Sequence, residues 1–456
     1  MSERLLAFWQ EDCELIKDKK IYNLTLITLI MTKKVDLVLR KVLESINPEK
    51  EKVLKIDFEL KKFLKKVNSR ISKLKIDAEI FVGGSYAKRS LIRKENYDVD
   101  LFLRFDKKYL EKDFRKLSRK ILKGVRGRSV VHGSRDYYNV KINSWLDFEI
   151  VPVRKVKSPK ESRNITDLSY SHVKYINSKV KKKEIVEGIK LAKAFCYATQ
   201  TYGAESYVHG FSGYSLELLV YYFGSFEKFL RAMLKVKKEK LVIDVGKLYK
   251  NKKAVLIDMN SSKLDSPVIL VDPTFKSRNA LAALSSETFE KFCIFAREFL
   301  NNPSLEFFKI KKVDYGKLKK TASGKGNEFV LLKTKTNKQK GDIAGTKLLK
   351  FFRHLNFEFS KYFEVIDSGF DYVKQNYGLN YFILKKKKEI VFVGPLVKDL
   401  KNSEKFKLER KKVYVKKGRL FSKMKIDFNG KDFIKKWIKK NRRKVKQMYV
   451  KGMEVV

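Results

Sequence analysis

The sequence contains little cysteine and no long apolar segment. Its three cysteines, Cys13, Cys196 and Cys293, are far apart and odd in number, which argues against a disulfide framework and a C-x-x-C zinc site. This cysteine usage fits a reducing compartment, so we expect a cytoplasmic protein. The most apolar stretch, residues 22–31, is about half as long as the roughly 20 residues that a transmembrane helix needs, and we expect no membrane partner.

Acidic residues are scarce relative to basic ones. The chain has 104 Lys and Arg against 52 Asp and Glu, a net charge of +52. Solubility does not require such an excess, which favours a polyanionic partner such as nucleic acid, even though part of it reflects lysine spread over the whole chain. A hydrophobic content of 43% predicts a globular protein and excludes a disordered one.

The most informative stretch is residues 80–105, IFVGGSYAKRSLIRKENYDVDLFLRF. A predicted strand ends at a double-glycine turn, and a second strand carries Asp98 and Asp100 on one face. The two carboxylates lie roughly 6–7 Å apart along the strand and repel each other unless a cation lies between them. The backbone N–H groups and hydroxyl of Gly84 and Ser85 suit a phosphate. A metal beside a phosphate predicts nucleotidyl or phosphoryl transfer.

Each half of this pattern also has an ordinary structural explanation. An Asp-x-Asp pair on an exposed strand is usually solvated, and Gly-Gly-Ser is usually a turn. Their order and spacing resemble the G-S…D-x-D signature of the nucleotidyltransferase β superfamily.

A third predicted strand, residues 146–152 (LDFEIVP), supplies further carboxylates. Alternation places Asp147 and Glu149 on one face, and Pro152 is expected to end the pairing of this strand. Helices predicted over 35–46, 49–74 and 107–123 and strands predicted over 127–131 and 137–142 complete the segment. Residues 35–155 therefore predict an α+β catalytic domain.

The remaining segments divide by composition and periodicity. Residues 156–305 predict a mostly helical central domain, including one helix that runs on from Gly213. Residues 306–456 mix helix with short strands and end in a basic helix over 433–448, whose aromatic neighbours predict RNA contact. Residues 1–34 are predicted to be an N-terminal extension, because Met31 opens a better amphipathic helix and is a candidate translation start.

With these segments placed, the chain resembles the archaeal-type (class I) CCA-adding enzymes, which are tRNA nucleotidyltransferases. The resemblance is carried by GGSYAKRS…DVDLFLRF, LDFEIVP, ITDLSYSHVKYI, YGAE…GFSGYSLELLVYYFGSF, VDPTFKSRNALAALS and NNPSLEFF. It is dense from about residue 35 to 310 and thins afterwards. It implies an α+β fold with a palm-like nucleotidyltransferase head built on a mixed sheet, a helical neck, and an α+β RNA-binding C-terminal region.

The resemblance implies a metal site made of three carboxylates. Asp98 and Asp100 match the first two metal ligands, with Asp98 standing where the family motif has Glu. Glu149 matches the third, where the family has Asp, so Asp147 is an alternative ligand. The expected metal is Mg²⁺, and these three residues are the expected catalytic residues.

Six further residues match nucleotide contacts of the family: Ser85, Lys88, His172, Lys193, Tyr202 and Arg278. Ser85 matches the serine that binds the triphosphate, and Lys88 stands where an arginine follows it. Arg278 matches the arginine that helps to read the incoming base. Leu168 replaces an arginine of the family, so one polar contact is lost or relocated. Without the resemblance, each of the six would more often have an ordinary structural role.

The implied reaction is template-independent addition or repair of the 3′-terminal CCA of tRNA from CTP and ATP, with release of pyrophosphate. The basic C-terminal region is expected to bind the acceptor stem and TΨC arm, and the family implies a homodimer. Two alternatives remain open: a poly(A) polymerase-like RNA-tailing enzyme and a catalytically impaired RNA-binding paralogue. A basic membrane-surface protein is the weakest candidate, because no suitable amphipathic anchor is present.

Overall fold

A computed structural model describes residues 33–132, 135–236, 239–373 and 376–456. The predicted N-terminal extension, including Met31, lies outside the described residues except for its last two positions. The chain forms two compact units, which divide between Lys311 and Lys312. No helix in the described part of the chain is long and apolar enough to cross a membrane.

The first unit contains a mixed set of helices and strands. Its helices are α1 (33–46), α2 (Lys50–Lys73), α3 (Gly84–Ala87), α4 (Glu111–Ile121), α5 (Ser169–Lys179), α6 (Lys183–Ala198), α7 (Gly213–Phe223), α8 (Phe226–Leu234), α9 (Lys252–Asp258) and α10 (Ser286–Asn301). Its strands are β1 (Ala78–Val82), β2 (Tyr97–Phe105), β3 (Arg128–Val131), β4 (Tyr137–Lys141), β5 (Leu146–Arg154), β6 (Leu241–Asp244), β7 (Val268–Asp272) and β8 (Phe275–Asn279).

The head of this unit is a five-stranded sheet in the order β1-β2-β5-β4-β3. Strands β2 and β5 are parallel and the other neighbours are antiparallel, so the predicted mixed sheet and α+β class are confirmed. The alternate residues Val99 and Leu101 of β2 pack with Phe63 of α2 and Phe114 of α4 in one core. The two helices cover one face of the sheet, and the opposite face holds the acidic side chains.

Strand β5 continues through Pro152 to Arg154, so the prediction that this proline ends the pairing was wrong. Pro152 is aligned with Leu103 of β2, whereas β4 pairs with β5 only as far as Ile150. The carbonyl of Pro152 accepts a hydrogen bond of 3.2 Å from Arg135. The N–H and C=O of a residue point to the same side of a strand, so the N–H that Pro152 lacks would point to the side of its carbonyl. Among the described residues, no strand pairs with β5 on that side at Pro152, so no hydrogen bond between strands is lost.

The helical middle of the first unit has its own core. Side chains of α5, α6, α7, α8 and α10 form it, with Phe195, Phe229 and Phe292 fully buried. Helix α1 also packs into this core, although it precedes the head in the chain. The single helix predicted to run on from Gly213 is broken at Gly224, whose φ of +85° suits glycine, and α8 begins after it.

The second unit is an α+β body. Its helices are α11 (Tyr315–Gly324), α12 (Asp342–Ser360), α13 (Leu400–Glu409), α14 (Gly430–Lys440) and α15 (Arg442–Gln447). Its strands are β9 (Glu328–Thr336), β10 (Phe363–Val373), β11 (Tyr377–Lys386), β12 (Glu389–Leu396), β13 (Val413–Lys416), β14 (Arg419–Lys425) and β15 (Val450–Val455). They form a sheet β10-β11-β9-β15 and a sheet β12-β14-β13. The basic helix predicted over 433–448 is two helices, because Asn441 ends α14.

Candidate active site

Four carboxylates lie on one face of two neighbouring strands. The parallel register aligns Asp98 with Asp147 and Asp100 with Glu149. Adjacent strands are roughly 4.8 Å apart and alternate residues of a strand roughly 6–7 Å apart, so the four side chains form a compact acidic group. The intervening residue Phe148 is fully buried on the other face. The register therefore brings together the three residues predicted as metal ligands and the alternative ligand Asp147.

The electrostatic state of this acidic group is strained. Burial, together with the charge of Asp98, raises the pKa of Asp100 to about 6. Burial also raises the pKa of Glu149 to about 7, with added repulsion from Asp100, Asp98 and Asp147. The protein alone therefore does not neutralise the negative charge that it concentrates here.

The acidic group fits a divalent cation by its chemistry. The ammonium of Lys94 lies 3.2 Å from Asp98 Oδ1 and supplies part of the missing positive charge. A divalent metal supplies two charges and prefers carboxylate oxygens. No three His, Cys, Asp or Glu side chains within the described residues are arranged so that they could hold a metal together. The acidic group therefore has the ligand chemistry of a metal site, but its described side chains are not arranged around one point.

The glycine turn packs directly against the second carboxylate. Gly84 begins α3 with a φ of +61°, and a Cβ at this position would collide with the carboxylate of Asp100. The N–H of Gly83 donates a 2.8 Å hydrogen bond to the backbone carbonyl of Asp100. Ser85 follows in the same short turn of helix. A phosphate held by this turn would therefore lie next to a metal held by Asp98 and Asp100.

Lys88 and Lys193 meet at a carboxylate that the sequence did not single out. Lys88 Nζ donates to Glu217 Oε2 at 2.6 Å, and Lys193 Nζ donates to Glu217 Oε1 at 2.9 Å. Glu217 is fully buried, and its pKa is lowered because the two lysine charges outweigh the effect of burial. The available signal was one charged residue within the apolar helix sequence GYSLELLVYYF.

His172 and Arg278 share a second carboxylate that sequence reasoning missed. Arg278 donates to Asp272 Oδ2 at 2.5 Å, and His172 Nε2 lies 3.1 Å from the same oxygen. Tyr214 donates to Asp272 Oδ1 at 3.0 Å and stacks on His172 with 4.0 Å between ring centroids. Burial lowers the pKa of His172. Burial opposes ionisation of Asp272, but its bond to His172 and the charge of Arg278 lower its pKa. The feature of the sequence that could have indicated Asp272 was an aspartate at the end of an apolar strand.

Tyr202 lies near Gly213 and Lys193. Its ring stacks on Tyr197 with 3.9 Å between centroids, and a Cβ at Gly213 would lie 2.8 Å from its hydroxyl oxygen and 3.8 Å from Lys193 Cε. Lys88 Nζ lies 5.9 Å from the centroid of the Tyr214 ring, against which His172 stacks. Contacts thus link Lys88, Lys193, His172 and Arg278, and Tyr202 lies beside Gly213 close to Lys193.

Leu168 is fully buried, so it has no polar contact to offer. The adjacent carboxylate, Asp167, is instead paired with Arg135, which also donates to Glu111 Oε1 at 3.1 Å. Asp167 further accepts from the backbone N–H of Arg154 at 2.9 Å. This buried ion pair fastens the segment before α5 to the head sheet.

The sequence matches known tRNA-processing enzymes. The family model for the second domain of tRNA nucleotidyltransferases matches residues 187–309. The CCA-adding enzyme of Nanoarchaeum equitans is 38% identical over 238 residues, which cover 52% of this chain and 58% of that protein, less than two thirds of its length. The CCA-adding enzyme of Methanocaldococcus jannaschii is 27% identical over 399 residues, 84% of this chain and 86% of that protein.

A solved structure gives a weaker match. The Cid1 poly(U) polymerase is 13% identical with a TM-score of 0.46, covering 63% of this chain and 98% of that one, which adds no weight to the sequence matches. By sequence, the chain is therefore similar to CCA-adding enzymes, and its residues 187–309 match the second domain of tRNA nucleotidyltransferases.

Proposed function

We propose that this chain adds or repairs the 3′-terminal CCA of tRNA, using CTP and ATP and releasing pyrophosphate in the cytoplasm. The observation that carries the proposal is the register of β2 and β5, which gathers the acidic group beside the glycine turn at Gly84. A metal site next to a phosphate site is what nucleotidyl transfer requires.

The acidic group is proposed to hold Mg²⁺ through Asp98, Asp100 and Glu149. When bound, the metal lowers the pKa of the attacking RNA 3′-hydroxyl and neutralises charge on the departing pyrophosphate. The backbone N–H groups at the start of α3 and the hydroxyl of Ser85 bind the phosphates. Lys88 adds an ammonium group at the same place.

Protein side chains, and no nucleic-acid template, are proposed to select the base. Arg278 presents planar N–H donors that can meet the acceptor atoms of cytosine or adenine. Asp272 fixes the direction of this guanidinium through the 2.5 Å hydrogen bond. His172 is anchored to the same carboxylate, and Tyr202 and Lys193 complete the nucleotide site from α6 and the segment after it.

The second unit is proposed to bind the tRNA acceptor stem and TΨC arm through phosphates, without reading sequence. A groove of about 720 Å³ in this unit supports the proposal. It is lined by Lys338, Arg442, Lys446 and Lys451 together with Tyr449, and no carboxylate lines it. We further propose that the enzyme forms a homodimer, which the family resemblance implies.

The test of this function is incubation of the protein with Mg²⁺ and tRNA that lacks its 3′ end. CTP and ATP are supplied separately and together. Addition of two C residues followed by one A, and then termination, is the expected result. Products that are longer or that lack C identify a poly(A) polymerase-like enzyme, and tRNA binding without incorporation identifies an impaired paralogue.

The variant Asp100→Ala tests the metal site directly. Removing one metal ligand should lower incorporation by roughly 10³-fold or more, because several kcal/mol of charge stabilisation are lost. Binding of tRNA should persist, because the phosphate-binding side chains are untouched. Near-normal incorporation by this variant would contradict the assignment of the metal site.

A further inference from the structure

Glu217 is a fully buried charged group in contact with the proposed nucleotide site. It lies on α7 with no exposed surface. Its carboxylate accepts hydrogen bonds from Lys88 at 2.6 Å, from Lys193 at 2.9 Å and from the hydroxyl of Ser90 at 3.2 Å. Lys193 also donates to Ser90 at 2.6 Å. All four side chains therefore form one closed network.

The charges of this network do not balance. Two ammonium groups share one carboxylate, and the side chains of Lys193 and Lys88 are only 4% and 10% exposed. Concentrating a surplus positive charge away from water is unfavourable unless an anion lies nearby. Lys88 directly follows α3, so this surplus positive charge lies beside the phosphate-binding turn and is available to an anion there.

The network also fastens the glycine-serine turn to the helical middle. Ser90 donates its backbone N–H to the carbonyl of Ser85 at 2.9 Å, so the two ends of this turn are connected. Glu217 holds the same segment through Lys88 and Ser90. Asn177 of α5 adds a 3.1 Å hydrogen bond to the carbonyl of Ala87. Helices of the middle therefore determine where the phosphate-binding turn lies.

We propose that Glu217 is a positioning residue for the triphosphate of the incoming nucleotide. It keeps Lys88 and Lys193 charged in a buried place and directs Lys88 toward the phosphates. An ammonium group has three N–H donors, and the hydrogen bond from Lys88 to Glu217 uses one of them. Lys193 donates to both Glu217 and Ser90, so it mainly stabilises the positions of these two side chains. This inference rests on the proposed function.

The test is nucleotide binding by the variant Glu217→Gln in the full-length protein. Glutamine keeps the shape and one acceptor oxygen but removes the counter-charge. The Kd of ATP and of CTP is measured by calorimetry without tRNA, so no incorporation is needed. We expect both Kd values to rise by about tenfold or more, with unchanged tRNA affinity. If the carboxylate were merely a negative charge near the phosphates, its removal would tighten nucleotide binding, and that result would overturn the proposal.

Asp167→Asn is the matched control. Asp167 is also buried and ion-paired in the same unit, but its partner is Arg135 and no nucleotide contact is attached to it. This variant should lose thermal stability while its Kd for nucleotides stays unchanged. An equal rise of Kd in both variants would show that Glu217 has only a structural role.

A double-mutant cycle with Lys88→Met tests whether Glu217 acts through Lys88. In that case Lys88→Met/Glu217→Gln binds nucleotide about as weakly as Lys88→Met alone, whereas additive losses contradict the pathway. If Glu217→Gln fails to fold, Glu217→Asp keeps the charge with a shorter reach and should bind nucleotide less tightly than wild type but more tightly than Lys88→Met. Wild-type protein that binds nucleotide but adds no CCA refutes the proposed function alone, since the binding assay still tests Glu217.

Discussion

Gly84 offers a sharp test of how the active site is built, because its backbone and its surroundings both require glycine. Its φ of +61° lies in the left-handed region, and a Cβ there would collide with the carboxylate of Asp100. The variant Gly84→Ala therefore has two effects. It strains the backbone, and it pushes away a proposed metal ligand.

A second glycine separates these two effects. Gly224 has a φ of +85°, and nothing lies within 4 Å of a Cβ built on it. Gly224→Ala therefore carries the backbone strain without the collision. The strain costs roughly 1 kcal/mol at either position. That loss should lower the Tm of a unit of this size by about 2–4 °C in both variants.

The two variants should differ in catalysis. A misplacement of about 1 Å in a reacting group costs on the order of 100-fold in rate. We therefore expect Gly84→Ala to lose about 100-fold or more in the incorporation of CTP and ATP into tRNA that lacks its 3′ end. Gly224→Ala should keep nearly full activity.

Two measurements complete the comparison of Gly84→Ala with Gly224→Ala. Incorporation of labelled nucleotide reports catalysis, and the affinity for Mn²⁺, followed by electron paramagnetic resonance, reports the metal site without catalysis. Equal activity of the two variants would refute the reasoning, because the contact between Gly84 and Asp100 would then have no part in placing the metal ligand.

Three further predictions concern the charges of the site and of the second unit. The pKa values of Asp100 and Glu149 are raised to about 6 and about 7, so the ionised forms of these two carboxyl groups destabilise the fold. The Tm of the metal-free protein should therefore rise as the pH falls from 8 through 7 to 6. With saturating Mg²⁺, this dependence of the Tm on pH should vanish. Arg278→Ala should lower kcat/KM for CTP and ATP by about 10- to 100-fold without altering tRNA affinity, and an unchanged kcat/KM would remove Arg278 from base selection. Replacing the exposed Lys439 and Lys446 by Gln should reduce the slope of log K for tRNA against log salt by about 1–2, whereas two exposed lysines of α2 replaced in the same way should leave it unchanged.

The sequence predicted the local parts of the head well. Alternation of apolar and acidic residues identified β2 and β5, because one face of each strand must pack against helices α2 and α4. The pairing of Asp100 with Glu149 is a contact between strands far apart in the chain, and periodicity carries no information about it. The error at Pro152 has the same origin, because only the sheet order shows that its missing N–H faces no strand.

The buried polar networks were harder to predict. Glu217 reaches Lys88 across 129 positions, and Asp272 reaches His172 across 100. Lysine and glutamate are so frequent in this chain that neither pairing stands out in the sequence. The family resemblance identified the outer members, Lys88, Lys193, His172 and Arg278, whereas the carboxylates between them emerged only from packing.

The register between β2 and β5 has a consequence for how this protein can misfold. Shifting one strand by a single residue would turn Asp98 and Asp100 toward Phe63 and Phe114 and expose the apolar residues of β2. Such a mispaired sheet could not keep its core. The side chains that pack in the core therefore also determine the alignment of the carboxylates. A molecule that keeps this core therefore has not slipped by one residue in this pairing, and stable protein misaligned in that way should not accumulate.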